Sequence, residues 1–199
     1  MSTSASFLLS PRELPSAELQ TARLDGDLVG YGAGDRYCPI DISATVDAAG
    51  RRQLRAASLE HLVPRALVAE LSTAAWLHGA WPLLRLPLEV CVRSDHRVRA
   101  AASPTTSVRQ VVLGDGDLMT VGDLLVTTPL RTAIDLLRLS LDFDRRLAVV
   151  VGTLLLMAGD GAARAETILR LSPHLPHKRR ALERLETLQG LRDQPPDTR

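Results

Sequence analysis

Two segments carry the residues whose types and spacing suggest chemistry. One is Leu71-Ser-Thr-Ala-Ala-Trp76-Leu-His78-Gly79; the other is Val126-Thr-Thr-Pro-Leu-Arg131-Thr132-Ala-Ile-Asp135-Leu-Leu. Thr128-Pro129 reads as a helix start, with a capping hydroxyl and proline at the first helical position. Arg131 and Asp135 then fall four apart in the first turns. Arginine there opposes the helix dipole, and Arg-then-Asp is the weaker order for a surface pair. The pair therefore reads as a structural lock, Arg131 bonding carbonyls or a carboxylate on a sheet and Asp135 orienting it. The alternative is a contact to a partner or a phosphate. His78, alone on its helix, reads as a hydrogen-bonded core or boundary residue, and Trp76 and Trp81 as covers for one edge of the core.

Other constellations are weaker. His174 and His177 flank Pro176 without a cysteine or carboxylate cluster, so no metal site is expected. Lys178-Arg179-Arg180 reads as a solvated helix start rather than a nucleic-acid patch. Glu89 and Asp95 lie on or after one strand, but no basic partner follows at nuclease spacing. The sequence has no phosphate-binding loop, GxSxG, HExxH or dinucleotide fingerprint. An enzyme is not expected, no catalytic residue is assigned, and no cofactor is implied. The minor alternative, a metal-dependent nuclease-like enzyme, would need clustered carboxylates and a lysine, and the one lysine is Lys178.

The elements that must hold these residues follow from periodicity and punctuation. A helix over 16–25, capped by Ser16 and stopped by Gly26, follows a mobile lead-in (1–14) and precedes a hairpin of 28–31 and 36–39 about a glycine-rich turn. Residues 40–50 read as a linker or irregular strand, 51–62 as a helix, 66–70 as a short strand, and Ser72 as the cap of a short helix. Strands are expected at 88–93, 108–113, 118–121 and 124–127. Helices follow from Thr128, with Ile134, Leu137 and Leu141 on one face, and at 143–158, 162–171 and 177–189. The order makes the fold class α+β, with a small mixed sheet and a helical C-terminal region.

Composition bounds the rest. The 199 residues are 45% hydrophobic and 24% charged, with a net charge of +1, which suits a soluble globular chain and excludes both wholesale disorder and a strongly basic nucleic-acid binder. Residues 1–100 carry 11 basic and 11 acidic side chains, the remainder 13 and 12. Arginine supplies 23 of the 24 basic residues, a bias that reads as GC-rich coding. Cys38 and Cys91 stand far apart and read as reduced, buried thiols. No secretory signal is read at the start, and the longest apolar run, 147–159, is too short to span a bilayer. The expected compartment is cytoplasmic, with no membrane partner.

Together with Asp25-Gly26-Asp27-Leu28 and Arg36-Tyr37-Cys38-Pro39, the two motif segments resemble the AbiEi family of antitoxins and transcriptional regulators, in the actinobacterial short form lacking a C-terminal nuclease-like domain. The resemblance spans roughly 10–190. It implies a shortened winged-helix-like module (1–45), an antitoxin domain with a helical tail (46–190) and a disordered end (191–199). It also implies a type IV toxin–antitoxin system, in which the protein represses its own operon and counters a nucleotidyltransferase-like toxin. Trp76, His78, Arg131, Thr132 and Asp135 are then structural or partner-contact residues. With Leu19 and Ala22 facing inward, Ser16, Gln20, Arg23 and Arg36 are the DNA-contact candidates. Asp25, Asp27 and Asp35 surround them, so operator binding is expected to be weak, with a shallow salt dependence. A homodimer is one arrangement that would strengthen it. The alternative reading is a protein-interaction module with a vestigial winged helix.

Overall fold

The computed structural model describes residues 7–94 and 103–192. Asp95, most of the expected loop at 94–107, the first six residues and most of the expected tail lie outside the described residues. Within them the chain is α+β, with one five-stranded mixed sheet carrying helices and a two-stranded sheet near the N-terminus.

The N-terminal part begins as an ordered segment rather than a mobile one. Leu8 is buried, Leu9 exchanges backbone hydrogen bonds with Tyr37, and Glu13 closes back on Ser10. Helix α1 (Ser16–Asp25) follows. Ser16 does not cap it; Pro15 occupies the cap without a side-chain bond, and proline needs no donor partner there. Gly26 ends the helix in the left-handed region, as expected. Strands β1 (Leu28–Gly30) and β2 (Tyr37–Pro39) pair antiparallel, with Val29 opposite Cys38. At the turn between them Gly32 has φ +69, and a Cβ there would lie 2.1 Å from the Ser58 hydroxyl oxygen. Only glycine fits, because the hairpin lies hard against the Ser58 side chain.

Residues 40–45 are not a linker or strand. They form helix α2 (Ile40–Thr45), started by Pro39. Helix α3 (Ala48–Leu59) begins three residues earlier than expected because Asp47 accepts from the Gly50 amide and caps it. Leu54 on α3 packs with Leu8 and Cys38, while Ala56 and Leu59 join the main core.

Strand β3 (Val68–Ala69) is shorter than expected and runs into helix α4 (Leu71–His78), every residue of which is buried. Glu70, not Ser72, occupies the cap position. Strands β4 (Leu88–Arg93), β5 (Thr106–Val111), β6 (Leu118–Val121) and β7 (Leu124–Thr127) complete the sheet in the order β5-β4-β3-β7-β6. β3 is parallel to β7 and antiparallel to β4, and β4 is parallel to β5. Alternation divides β4. Leu88, Val90 and Val92 enter the main core, while Cys91 joins Val68 and Leu113 on the opposite face. The link at 112–117 carries the chain from one edge strand to the other, and Leu113 on it covers that opposite face.

Helix α5 (Pro129–Leu139) is capped by Thr128, with proline at its start, as the sequence requires. It ends at Leu139, so Leu141 is not on its apolar face and is 87% exposed. Helices α6 (Arg145–Met157), α7 (Gly161–Leu171) and α8 (Lys178–Arg192) pack around α5. Helix α8 continues to Arg192, past the expected end at 189. Among the described residues no single helix is long and apolar enough to cross a membrane, and α6 and α7 meet at a bend of 99°.

Candidate functional site

The C-terminal ends of the parallel strands β3 and β7 lie side by side, and α4 and α5 start there. All five motif residues lie on these two helices. His78 closes α4 before Gly79, whose φ of +89 ends the helix. The His78 ring is 2% exposed, and its Nε2 lies 2.7 Å from the Thr127 carbonyl oxygen. A carbonyl only accepts, so Nε2 carries the proton. Nδ1 is buried without a hydrogen-bond partner. Burial pulls the His78 pKa down, opposed by the Thr127 bond and reinforced by Arg52, so the ring is held neutral.

Thr127 links His78 to the second motif. Its hydroxyl lies 2.7 Å from that of Thr132, which also donates to the Thr128 carbonyl at 2.9 Å. One turn on, Arg131 spreads its fork. Nε donates to Asp135 at 2.8 Å, and one terminal nitrogen donates to Asp117 at 2.7 Å and to the Val112 carbonyl at 3.3 Å. Asp135, 1% exposed, also accepts from Arg138 at 2.8 Å. Burial alone would lower the Arg131 pKa; Asp135 and Asp117 outweigh it and hold it above its ordinary value. The arginine thus ties α5 to the 112–117 link, and Arg138 continues from Asp135 to the Pro176 carbonyl. Trp76 is 4% exposed, with the Arg55 guanidinium 5.2 Å over its ring, and Trp81 carries Arg85 at 4.4 Å.

Sequence reading missed a second buried ion pair, at the end of β3. Glu70 is 1% exposed and takes two hydrogen bonds from Arg109, at 2.8 and 2.6 Å. Burial pushes its carboxyl up, and Arg109 only partly offsets that. The Cys91 thiol lies against Glu70, and burial with that carboxylate drives its pKa far up, so it is an unreactive thiol. Leu71, next to Glu70, has φ +48, a strained setting at the strand-to-helix corner. The corner turns the Ser72 amide and hydroxyl onto Glu89. A lone glutamate ending an apolar run, Leu67-Val-Ala-Glu70, was the available signal. Its partner stands 39 residues away, beyond any local pattern.

A cleft of about 540 Å³ opens beside this corner, with Ser72, Glu89, Ser107 and Asp142 among its polar walls and the Trp81–Arg85 stack on one side. Carboxylates outnumber cations in its lining, so it suits a basic group. Among the described residues no group of three or more His, Cys, Asp and Glu is placed to hold a metal ion. His174 and His177 are exposed in the α7–α8 link. The Lys178-Arg179-Arg180 run is divided. Lys178 donates to the Arg170 carbonyl at 2.7 Å, Arg180 donates to the Arg138 carbonyl, and Arg179 pairs with Glu183. Two of the three cations therefore close helix C-termini.

The DNA-contact candidates sit on the N-terminal part. Leu19 is buried and Ala22 partly so, while Ser16, Gln20 and Arg23 are exposed. Gln20 donates to the Tyr37 hydroxyl at 2.7 Å and accepts from Arg23 at 3.0 Å, so these two are mutually engaged. Arg36 lies near His61. Burial lowers the His61 pKa, and Arg36 and Arg12 lower it further. Asp25, Asp27 and Asp35 are all exposed.

No protein-family model matches the chain, and no curated protein matches it.

Proposed function

We propose that this chain is an antitoxin-type transcriptional regulator of a type IV toxin–antitoxin pair, countering a nucleotidyltransferase-like toxin and binding its own operator weakly. The observation that carries the regulatory half is the strand order at the N-terminus. Leu9 bridges Tyr37 on one side of β2 while β1 pairs on the other, with α1 lying between Leu9 and β1 in the chain. A bridging residue, a helix and then a hairpin whose second strand is central follow the order expected of a winged-helix wing sheet with one helix left out. Support comes from α3, which packs on the hairpin through Leu54. In this reading Ser16, Gln20 and Arg23 on α1 approach bases, and Arg36, with Arg12 and His61 nearby, meets a phosphate.

The antitoxin half rests on the family resemblance of the two motifs, and the engagement of His78, Arg131, Thr132 and Asp135 in internal hydrogen bonds where α4 and α5 leave the sheet gives those motifs a shared physical role. That role is to hold the domain that would face the toxin. Arg131 and Asp135 act as the lock rather than as the contact, because both are spent on internal partners. A mobility-shift assay with DNA from upstream of the gene, at about 50 mM salt, tests the regulatory half directly. A shift weakened by Arg23→Ala and by Arg36→Ala is expected; no shift removes that half. The second reading, an interaction module with a vestigial winged helix, is favoured by the exposed Asp25, Asp27 and Asp35, which repel phosphates.

A further inference from the structure

The cleft of about 540 Å³ beside the β3–α4 corner has polar walls that the buried networks do not use. They are Glu89 on β4, Trp81 and Arg85 in the link before it, and Asp142 and Asp144 between α5 and α6. Glu89 is fixed from both sides. One of its oxygens accepts from the Ser72 amide at 2.9 Å and from the Ser72 hydroxyl, and its own amide donates to the Thr73 hydroxyl at 2.8 Å. Asp144 is fixed as the cap of α6, with one oxygen accepting from the Leu147 amide at 2.8 Å. In each residue the second oxygen has no hydrogen bond among the described residues, and neither residue makes an ion pair there. Carboxylates held in this way lose little freedom when they take up a ligand.

The chain itself shows which group the cleft accepts. Arg85 is the one cation in its lining, and its exposed guanidinium lies 4.4 Å over the Trp81 ring. It makes no ion pair among the described residues, although three carboxylates line the same cleft. Stacking alone holds an exposed cation weakly, so Arg85 is an exchangeable occupant. The surplus of negative charge belongs to Glu89 and Asp144. Asp142 also faces Arg184, whose own donors are taken by the Leu137, Ser140 and Leu141 carbonyls. Arg145 and Arg146 follow Asp144 in the chain but do not line the cleft. The remaining lining is apolar and partly open, with Leu86 59% and Leu141 87% exposed. A planar guanidinium satisfies an indole face and carboxylates together, as an ammonium does not. The open leucines call for carbon on either side of that charge, which a polypeptide supplies.

We propose that this cleft is the docking site for an arginine side chain of a partner polypeptide, flanked by apolar residues. The partner's guanidinium takes the place of Arg85 at Trp81 and is held by Glu89 and Asp144, and its neighbours cover Leu86 and Leu141. Arg85 is then a competitor built into the chain, which keeps the aromatic face covered until a better-paired cation arrives. A charge that is paired and shielded from water contributes more than one at an open rim. The inference goes beyond operator binding and toxin neutralisation and rests on neither, because it is read from the cleft alone.

Nuclear magnetic resonance of the nitrogen-15-labelled full chain reads the site directly. The chain has two tryptophans, so two indole N–H signals are expected, and Trp81→Phe assigns them. Titration with the peptide acetyl-Leu-Arg-Leu-amide is expected to move the Trp81 signal saturably, with a Kd below about 1 mM, and to leave that of Trp76 in place. The neutral acetyl-Leu-Gln-Leu-amide should bind at least about tenfold more weakly. Glu89→Gln keeps an acceptor for Ser72 and Asp144→Asn keeps the helix cap, so both variants should fold, and each should weaken binding about fivefold or more. Arg85→Ala should tighten it about threefold by removing the competitor. A Trp81 signal that does not move overturns the site, as do equal binding of the neutral peptide and indifference to both carboxylate changes. Weaker binding in Arg85→Ala overturns the exchange. Equal binding of acetyl-Gly-Arg-Gly-amide overturns the apolar flanks and with them the polypeptide partner.

Discussion

Arg131 holds two carboxylates at once, Asp117 on the link and Asp135 on its own helix, and the second of these is almost wholly buried. A lysine carries the charge but not the fork, so it can satisfy only one of the two geometries. Arg131→Lys is expected to lower unfolding free energy by about 1–3 kcal/mol, below the cost of full loss of a buried partner. Urea denaturation checks it. Loss of partner binding with an unchanged midpoint would make Arg131 a contact residue instead. His78 gives the chain a pH dependence of known sign. Its folded pKa lies below the ordinary 6.5, so the unfolded state binds more protons between the two values. Stability from this ring is present above about 6.5 and is lost as pH falls through that window. The slope of melting temperature between about pH 7 and 5 should be shallower in His78→Gln than in the parent, and an identical slope would remove His78 as its source.

At the scale of elements, capping and alternation were legible. Thr128-Pro129 starts α5, Gly26 and Gly79 end α1 and α4, and Leu88–Arg93 alternates as a strand between two covered faces. The misreadings share a cause, a tertiary partner overriding a local signal. Ser72 looks like a cap, but its hydroxyl is taken by Glu89 and the helix starts two residues earlier than such a cap implies, at a strained Leu71. Residues 40–45 hold too little apolar periodicity to announce a helix, yet Ile42 finds the Cys38–Leu54 cluster to pack on. Leu141 continues the α5 period in sequence but falls beyond its end, where Arg184 takes the Leu137, Ser140 and Leu141 carbonyls. The candidate site was half legible. The motif residues stood out by type and spacing, whereas Glu70 and Arg109 are joined only by the β3–β4–β5 ladder. The hairpin gives a prediction of its own. Gly32→Ala forces a left-handed alanine against Ser58 and should cost at least about 2 kcal/mol in thermal or urea denaturation. No loss would mean that the hairpin lies off α3 in solution.

At the scale of the whole molecule, the balanced charge becomes a statement about where binding can occur. The cations that might have made a basic face are spent inside. Lys178, Arg180 and Arg184 close helix ends, and Arg109, Arg131 and Arg138 serve buried carboxylates. What remains near the hairpin is a few arginines among three exposed aspartates. Asp25→Asn with Asp27→Asn should therefore tighten binding to upstream DNA several-fold and steepen its salt dependence, as expected when repulsion of phosphates is relieved. An unchanged affinity in a titration at two salt concentrations would place the DNA elsewhere. Removing residues 1–40 is a poor substitute for these point changes, because Ala33 and Cys38 are part of the packed interior.

The central claim is that the chain counters a toxin, and growth measures that most directly. Any nucleotidyltransferase-like gene neighbouring this one is induced alone and together with the full chain. The account predicts arrested growth with the toxin alone and restored growth with both, with restoration retained in Arg36→Ala, a change confined to the N-terminal hairpin. Growth that stays arrested with both, or the absence of any such neighbouring gene, would contradict it.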